Sequence, residues 1–317
     1  MKLLEVDDLP YCVKRAIEAQ AEVYSDSVSE HLKGVGQFDI QLSVTTLNKS
    51  PRQNHLYRRH SSEMVVNPWD RIHLLDGSIF HYILECHKQP GALVEERVGV
   101  MMKWNGKRIY LHGAADLFIP QERHLIDFKR SSTISMNYSN RDYEFQLNVL
   151  RWILLQQKGH TYEINKISNF YSFKDWNKTK AVKNKEYPQR PMLYKDHRIW
   201  TEEELRKELF DRIKLHVSAE PLPDNDLPFC TEEQKWQRNQ FRVIPKKKDG
   251  EWSGSSKGTF PTYSEAETKG KEIGEHKIEE ILGTPRKCIE YCDCAIFCNQ
   301  RQQEIQQNQQ NEDEYEM

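Results

Sequence analysis

The sequence predicts an α/β protein in which a central mixed β-sheet is flanked by helices. Two segments, residues 70–87 and 142–158, repeat apolar side chains with the period of a helix, and the segments between them alternate with the period of a strand. Thr201 followed by Glu204 forms a capping-box pattern that begins another helix. Helices that surround a run of strands are typical of an α/β sheet.

The predicted elements follow one another in a regular order. An amphipathic stretch at 13–24 precedes the helix at 70–87, whose apolar stripe is expected to run over Ile72, Leu75, Ile79, Ile83 and Cys86. An antiparallel meander is expected over residues 94–103, 108–119 and 124–130. After the helix at 142–158 we expect a strand at 164–173, a helix at 201–217, a small hairpin at 241–263 and a helix at 264–282.

Composition limits the classes of protein to which the chain can belong. Its 317 residues are 30% charged and 37% hydrophobic, and no apolar run approaches the ~20 residues that span a bilayer. The N-terminus lacks the pattern of a secretory signal, so we expect a cytoplasmic, reducing location. The net charge of −2 indicates that any contact with nucleic acid is a local groove.

The pattern divides the chain into four segments. We expect an N-terminal helical segment at 1–42, a catalytic core at 43–220, a cysteine-rich element at 221–300 and a disordered, Gln-rich and acidic tail at 301–317. Of the seven cysteines, Cys12 and Cys86 are expected to be buried as small apolar residues.

The chemistry of the core is expected to centre on Asp127-Phe128-Lys129. Because side chains alternate along a strand, Asp127 and Lys129 share one face, while Ile126 and Phe128 point into the core. An Asp-x-Lys tripeptide is also common on the solvated face of an ordinary strand, so other residues must decide between these interpretations.

A second acid is expected directly opposite Asp127. If residues 120–123 form the turn, Ile119 pairs with His124 and Asp116 falls across from Asp127, with Cβ atoms ~5 Å apart. Two adjacent carboxylates repel each other unless a cation lies between them, and hard oxygen ligands suit Mg²⁺ or Mn²⁺. Small residues beside Asp116 are expected to leave room for a phosphate, a pattern typical of phosphodiester hydrolysis.

The first strand of the meander offers two glutamates, of which Glu95 is expected to reach the site. Its alternate residues are expected to enter the core beside Ile126 and Phe128: Val94, Val98, Val100 and Met102. Glu95 then points to the face of Asp127, whereas Glu96 lies at the strand's start outside the core. The alternative is that both glutamates are solvated edge residues.

Four motifs in chain order resemble the RecB-like branch of the PD-(D/E)XK nucleases. They are Gly77-Ser-Ile-Phe-His81, Asp116, Asp127-Phe-Lys129 and Tyr143-Glu-Phe-Gln146-Leu147. The resemblance covers residues 43–173 and implies a restriction-endonuclease-like core. It implies that metal is bound by His81, Asp116, Asp127 and the Phe128 carbonyl, that Lys129 is catalytic, and that Tyr143 and Gln146 line the site. It also favours Glu95, since relatives place a glutamate after an apolar residue here.

Cysteines near the C-terminus supply enough thiolates for one [4Fe-4S] cluster or for a zinc site: Cys230, Cys288, Cys292 and Cys298. The pattern resembles the iron-sulfur PD-(D/E)XK nucleases, which include CRISPR-associated, helicase-linked and phage-encoded exonucleases. In many of these relatives the first cysteine precedes a Pro-Arg step, where this chain has Ser50. Cys230 is therefore the expected substitute, and Cys294 is the alternative ligand.

These residues together predict a Mg²⁺- or Mn²⁺-dependent DNA nuclease, an exonuclease by analogy, with DNA and a helicase or recombination protein as partners. Contacts to DNA are expected from a basic and aromatic segment: Arg52, Tyr57, Arg58, Arg59 and His60. The basic run at 246–248 is expected to be a solvated hairpin tip. The alternatives are a catalytically silent DNA-binding subunit of a recombination or repair complex, and a nuclease specific for RNA or DNA junctions.

Overall fold

A computed structural model describes residues 2–3, 10–87, 90–137, 141–158 and 162–306. Its helices are α1 Tyr11–Leu32, α2 Val44–Leu47, α3 Pro51–His60, α4 Ile72–Cys86, α5 Arg141–Lys158, α6 Lys178–Lys183, α7 Glu202–Ala219, α8 Glu232–Lys235 and α9 Tyr263–Ile273. Its strands are β1 Lys2–Leu3, β2 Ile40–Ser43, β3 Val65–Val66, β4 Leu93–Trp104, β5 Lys107–Ile119, β6 His124–Ser131, β7 Lys166–Phe173, β8 Met192–His197, β9 Gln240–Pro245, β10 Thr259–Phe260 and β11 His276–Ile281.

The chain divides into two compact units. The first contains residues 1–49 and 65–220, and the second contains residues 50–64 and 221–317. Helix α3, which the sequence grouped with the 43–220 core, therefore belongs to the second unit. Within the described residues, no helix is both long enough and apolar enough to cross a membrane.

A mixed sheet of six strands, flanked by helices, forms the first unit. The order is β2-β5-β6-β7-β8, with β4 paired to β5 on the same sheet. The β4, β5 and β6 strands form the expected antiparallel meander, and β7 joins β6 in parallel. Asn105 and Gly106 both have positive φ, as the tight β4–β5 turn requires. The predicted α/β class is confirmed.

Two apolar clusters hold the helices to the two faces of this sheet. The larger contains Leu125 of β6 together with residues of α5 and α7, such as Phe145 and Leu209. The smaller contains Ile126 of β6, against which Phe80 of α4 packs. Because Leu125 and Ile126 are adjacent in a strand, α5 and α4 lie on opposite faces.

The side of helix α4 that packs on the sheet differs from the side that its apolar pattern predicts. Ile79 and Ile83 are half exposed. Cys86 is exposed, as is Cys12 of α1, so the prediction that both cysteines are buried is wrong. Phe80 and Leu84 instead pack on the smaller cluster. The helix offers apolar residues on several sides, so the period alone could not identify the buried one.

The alternation of side chains along β4 changes at Glu95. Val98 belongs to the larger cluster, with Val100 and Met102 packed against it, rather than joining Ile126 and Phe128 as expected. Glu95 has a left-handed backbone with φ of 51°, and it is skipped in the pairing of β4 with β5. The register of β4 on β5 is the same on both sides of Glu95, yet Leu93 and Val98, five residues apart, pack on the same cluster, so the alternation changes between them.

The second unit contains a three-stranded antiparallel sheet in the order β10-β9-β11, together with α9. The expected hairpin corresponds to β9 and β10, but the helix expected at 264–282 ends at Ile273. Gly274, with φ of 102°, terminates it, and the following residues form β11 against β9. Residues 301–306 of the expected disordered tail are helical, and residues 307–317 lie outside the described residues.

Candidate functional site

Neighbouring strands of the central sheet bring Asp127 and Lys129 together with Asp116. The pairing of Ile119 with His124 and of Leu117 with Ile126 confirms the predicted register between β5 and β6. Lys129 Nζ lies 2.7 Å from Asp127 Oδ2, so the two charges share one face as the strand period requires.

Three further donor atoms converge beside this pair. One atom each from His81, Glu95 and Asp116 lies within 4.8 Å of the others, close enough to hold one metal ion. His81 Nδ1 is 2.9 Å from Glu95 Oε1 and 3.9 Å from Asp116 Oδ2. The structure therefore places Glu95 among the acids, as the sequence predicts.

Asp116 is a buried acid in an unfavourable environment. Burial, followed by the negative charge of Asp127, raises the pKa of Asp116 to about 8. Its Oδ2 atom accepts a hydrogen bond of 2.7 Å from the Phe128 N–H, which fixes its direction. The sequence predicts the Phe128 carbonyl as a metal ligand. The contact of Phe128 with Asp116 is made by its backbone N–H.

The two aspartates have different partners. Asp127 Oδ1 accepts from Gln146 Nε2 at 3.0 Å, whereas its Oδ2 faces Lys129. Lys129 Nζ also lies 4.8 Å from the centre of the Tyr143 ring. Although burial lowers the pKa of Lys129, the charges of Asp127 and Asp116 outweigh it and raise the pKa, so the ammonium form is favoured.

The neighbouring acids also affect the pKa of His81. Burial lowers its pKa, but the hydrogen bond that His81 donates to Glu95 and the charge of Asp116 outweigh burial and raise the pKa overall. A protonated imidazole here would balance one of the carboxylates, and a metal ion would replace that proton.

Sequence reasoning missed a buried amide behind Asp127. Asn169 of β7 pairs directly with Asp127, is fully buried, and donates from Nδ2 to Asp127 Oδ2 at 2.6 Å. His197 of β8 lies 2.7 Å from Asn169 Oδ1. The sequence predicts a strand at 164–173 but not its partner, and it is the parallel pairing of β7 with β6 that brings Asn169 to Asp127.

The small residues before Asp116 serve packing rather than leaving room for a phosphate. A Cβ atom on Gly113 would lie 2.6 Å from Leu150 Cδ2 and 3.2 Å from Val44 Cγ2. Ala115 is fully buried in the larger apolar cluster. The expectation of an open approach at these positions is therefore wrong.

In the second unit, five cysteines line one cavity: Cys230, Cys288, Cys292, Cys294 and Cys298. The Cys292 and Cys294 sulfurs are 3.5 Å apart, and Cys294 faces the Gln53 carbonyl at 3.6 Å. A hydrogen bond with Cys294 lowers the pKa of Cys292 to about 7, and the same contact raises the pKa of Cys294.

The remaining thiols also influence one another. Burial raises the pKa of Cys288 to about 12, and the neighbouring Cys292 and Cys230 add to this effect. Burial likewise raises the pKa of Cys230, while a hydrogen bond with Ser50 at 3.0 Å opposes it. Cys230 therefore lines the cavity, and Ser50 lies against its sulfur.

The basic segment expected to contact DNA has structural partners in the second unit. Arg52 is 1% exposed and donates to the carbonyls of Pro228 and Leu227. Arg59 and His60 both bind the Asp224 carboxylate, at 2.7 and 2.6 Å. For Arg52, the prediction of a phosphate contact is wrong, because a fully buried guanidinium cannot reach a strand of DNA.

No family model matches the chain, and the comparison with curated proteins found no match. Among solved structures, one described as "Crystal structure of SSO0001" is similar over 65% of this chain and 87% of that chain. The two share 18% identical residues and superpose with a TM-score of 0.44. This similarity is too low to support an argument about fold or function, so the function must be argued from the site.

Proposed function

We propose that this chain is a metal-dependent DNA nuclease of the PD-(D/E)XK type with a restriction-endonuclease-like core. The observation that carries the proposal is the convergence of a three-donor group with an aspartate-lysine pair on adjoining strands. The donor group is His81, Glu95 and Asp116, and the pair is Asp127 and Lys129. The choice of DNA as substrate rests on the four motifs that resemble RecB-like nucleases.

The donor set fits a divalent cation. Two carboxylates and one imidazole suit Mn²⁺, and the oxygen ligands alone suit Mg²⁺. The raised pKa of Asp116 marks an acid whose charge lacks compensation, and a bound cation would supply it. His81, Glu95 and Asp116 would hold the ion, with Asp127 beside them as the further ligand that the resemblance implies.

A divalent cation in such a site neutralises phosphate charge and makes water more acidic. Against the effect of burial, the charges of Asp127 and Asp116 raise the pKa of Lys129 in the metal-free site and favour its ammonium form. Its ammonium would donate hydrogen bonds to the attacking water and to the phosphate oxygen on which charge develops. Asp127 and the Tyr143 ring hold the ammonium in place for this contact.

The cysteine cavity of the second unit is proposed to bind a structural [4Fe-4S] cluster through Cys230, Cys288, Cys292 and Cys298. Four thiolates suit either such a cluster or a tetrahedral zinc ion. The choice of the iron-sulfur cluster rests on the resemblance of the cysteine pattern to that of the iron-sulfur nucleases.

The rival functions are a silent DNA-binding subunit and a nuclease specific for RNA or junctions. A silent binder does not need Glu95, Asp116 and Asp127 together, since adjacent acids repel a phosphate backbone. The test is an assay of the whole protein, purified without oxygen, on labelled single-stranded DNA, duplex DNA and RNA. We expect cleavage of DNA that requires Mn²⁺ or Mg²⁺ and stops on chelation. Binding without cleavage under all conditions would favour the silent subunit.

A further inference from the structure

Two buried residues on the next two strands, Asn169 and His197, form a hydrogen-bonded pair that contacts Asp127. Asn169 stands beside it in the parallel ladder of β6 and β7, and His197 stands on the next strand, β8. Asn169 is fully buried, and the His197 side chain is 4% exposed. Neither residue belongs to the candidate metal group.

Asp127 determines which atoms donate and which accept hydrogen bonds in the Asn169–His197 pair. A carboxylate only accepts hydrogen bonds, so the atom of Asn169 that lies 2.6 Å from Asp127 Oδ2 is the amide nitrogen. The amide oxygen of Asn169 then faces His197 Nε2 at 2.7 Å and must accept a hydrogen bond. His197 therefore carries a hydrogen on Nε2, and this hydrogen keeps the amide from turning over.

The Asn169–His197 pair determines the direction of the Asp127 carboxylate. Gln146 donates to Oδ1, and Oδ2 receives both Asn169 and Lys129. If the Asn169 amide turned over, its oxygen would face the carboxylate and repel it. Asp127 would then rotate, and Lys129 would lose the partner that places its ammonium.

We propose that Asn169 and His197 are positioning residues that fix Asp127, and through it Lys129, in the geometry needed for metal binding and cleavage. The inference rests on the proposed nuclease function and deepens it. Partners that orient metal ligands in this way change metal affinity or activity by about 10- to 100-fold when they are removed.

The experiment compares two substitutions of His197. His197→Met removes the Nε2 hydrogen while filling the space, whereas a glutamine amide in His197→Gln can still donate to Asn169. Mn²⁺ affinity of the DNA-free protein is measured by calorimetry, and kcat and KM are measured on DNA. We expect His197→Met to lose about 10- to 100-fold in Mn²⁺ affinity and in kcat, with KM little changed, and His197→Gln to stay near wild type.

His124 offers a matched control in the same sheet. It is 4% exposed and bonds the Ser168 hydroxyl at 2.7 Å, and the carboxylate that it approaches, Glu122 at 3.9 Å, lies outside the candidate site. We expect His124→Met to keep both Mn²⁺ affinity and kcat, even if its melting temperature falls. An equal loss of Mn²⁺ affinity in His124→Met would overturn the inference, because it would show a general effect of the sheet.

Wild-type Mn²⁺ affinity and turnover in folded His197→Met would also overturn the inference. If His197→Met does not fold, Asn169→Ser removes the amide that donates to Asp127 without adding apolar bulk, and it carries the same expectation. A wild-type protein that binds Mn²⁺ but cleaves no DNA would contradict the proposed function. In that case the comparison of Mn²⁺ affinities still decides the positioning role of Asn169 and His197.

Discussion

The hydroxyl oxygen of Ser50 lies 3.0 Å from the sulfur of Cys230, although 180 residues separate them in the chain. Ser50 precedes a Pro-Arg step, the place at which many of the iron-sulfur nucleases that the cysteine pattern resembles carry their first cysteine. The two side chains are therefore in contact in the second unit, and we propose that Cys230, from the later segment of the chain, supplies the ligand thiolate.

Because the side chains of Ser50 and Cys230 are in contact, a cysteine at either position should be able to supply the same cluster ligand. Cys230→Ser should lower the iron and sulfide content of anaerobically purified protein, and adding Ser50→Cys should restore it. Cys86→Ser, which changes an exposed thiol outside the cavity, is the control. Full iron in Cys230→Ser would move the fourth ligand, and stoichiometric zinc in the wild type would contradict the cluster.

Glu95 and Glu96 are adjacent in β4, but of the two only Glu95 belongs to the candidate metal group. Glu95 contacts His81 at 2.9 Å, and Glu96 pairs with Ala115 further along β4. We expect Glu95→Gln to lower kcat by about 10- to 100-fold at saturating Mn²⁺, with Glu96→Gln close to wild type. Equal activities, or a greater loss in Glu96→Gln, would show that the site is assigned to the wrong residue.

Asp116 predicts how the stability of the metal-free protein depends on pH. Its pKa is raised from 3.8 to about 8 by folding, so folding favours the protonated acid. The stability that this proton contributes is fully present below about pH 4 and is lost as the pH rises through about 8. Asp116→Asn cannot lose that proton and should escape the loss.

Melting temperatures of the two metal-free proteins test this dependence on pH. The advantage of Asp116→Asn over wild type should grow by at least about 2–4 °C between about pH 5 and about pH 9, which is the shift for 1 kcal/mol in a domain of this size. Mn²⁺ should stabilise only the wild type strongly at the higher pH. A constant difference in melting temperature would contradict the raised pKa.

Two glycines of the first unit are expected to respond oppositely to alanine. The Cβ of Gly113→Ala would lie 2.6 Å from Leu150 Cδ2, and we expect a loss of about 1–3 kcal/mol in the free energy of unfolding. Gly77 lies in α4 with no described atom within 4 Å of such a Cβ, so Gly77→Ala should gain about 0.5–1 kcal/mol. Chemical denaturation measures both changes, and a stable Gly113→Ala would contradict the packing of α5 on β5.

The sequence predicted the meander and its register because those features depend on local signals. Asn105-Gly106 fixes one turn, and the alternation of apolar residues fixes which side of β6 carries Asp127 and Lys129. The capping box of Thr201 and Glu204 likewise begins α7 at the expected residue. Each of these features is encoded within a few consecutive residues.

Features that depend on distant parts of the chain were not predictable in this way. The contact of Asn169 with Asp127 requires β7 to join β6 in parallel, and the burial of Arg52 requires carbonyl groups from residues 227–228. The left-handed backbone at Glu95 is a local departure that no sequence pattern marks. Glu95 was still placed correctly, because the break in alternation begins only after it.

The most direct test of the proposed nuclease is the cleavage activity of Lys129→Met. This variant keeps the aliphatic stem of the side chain but removes the ammonium that lies 2.7 Å from Asp127. The matched control is Lys166→Met, which removes a half-exposed lysine of β7 that pairs with Asp196. Mn²⁺-dependent cleavage of labelled DNA is measured for both variants and for wild type. We predict that Lys129→Met folds and loses about 10²- to 10³-fold in kcat, while Lys166→Met retains activity. Wild-type cleavage by folded Lys129→Met would contradict the central claim.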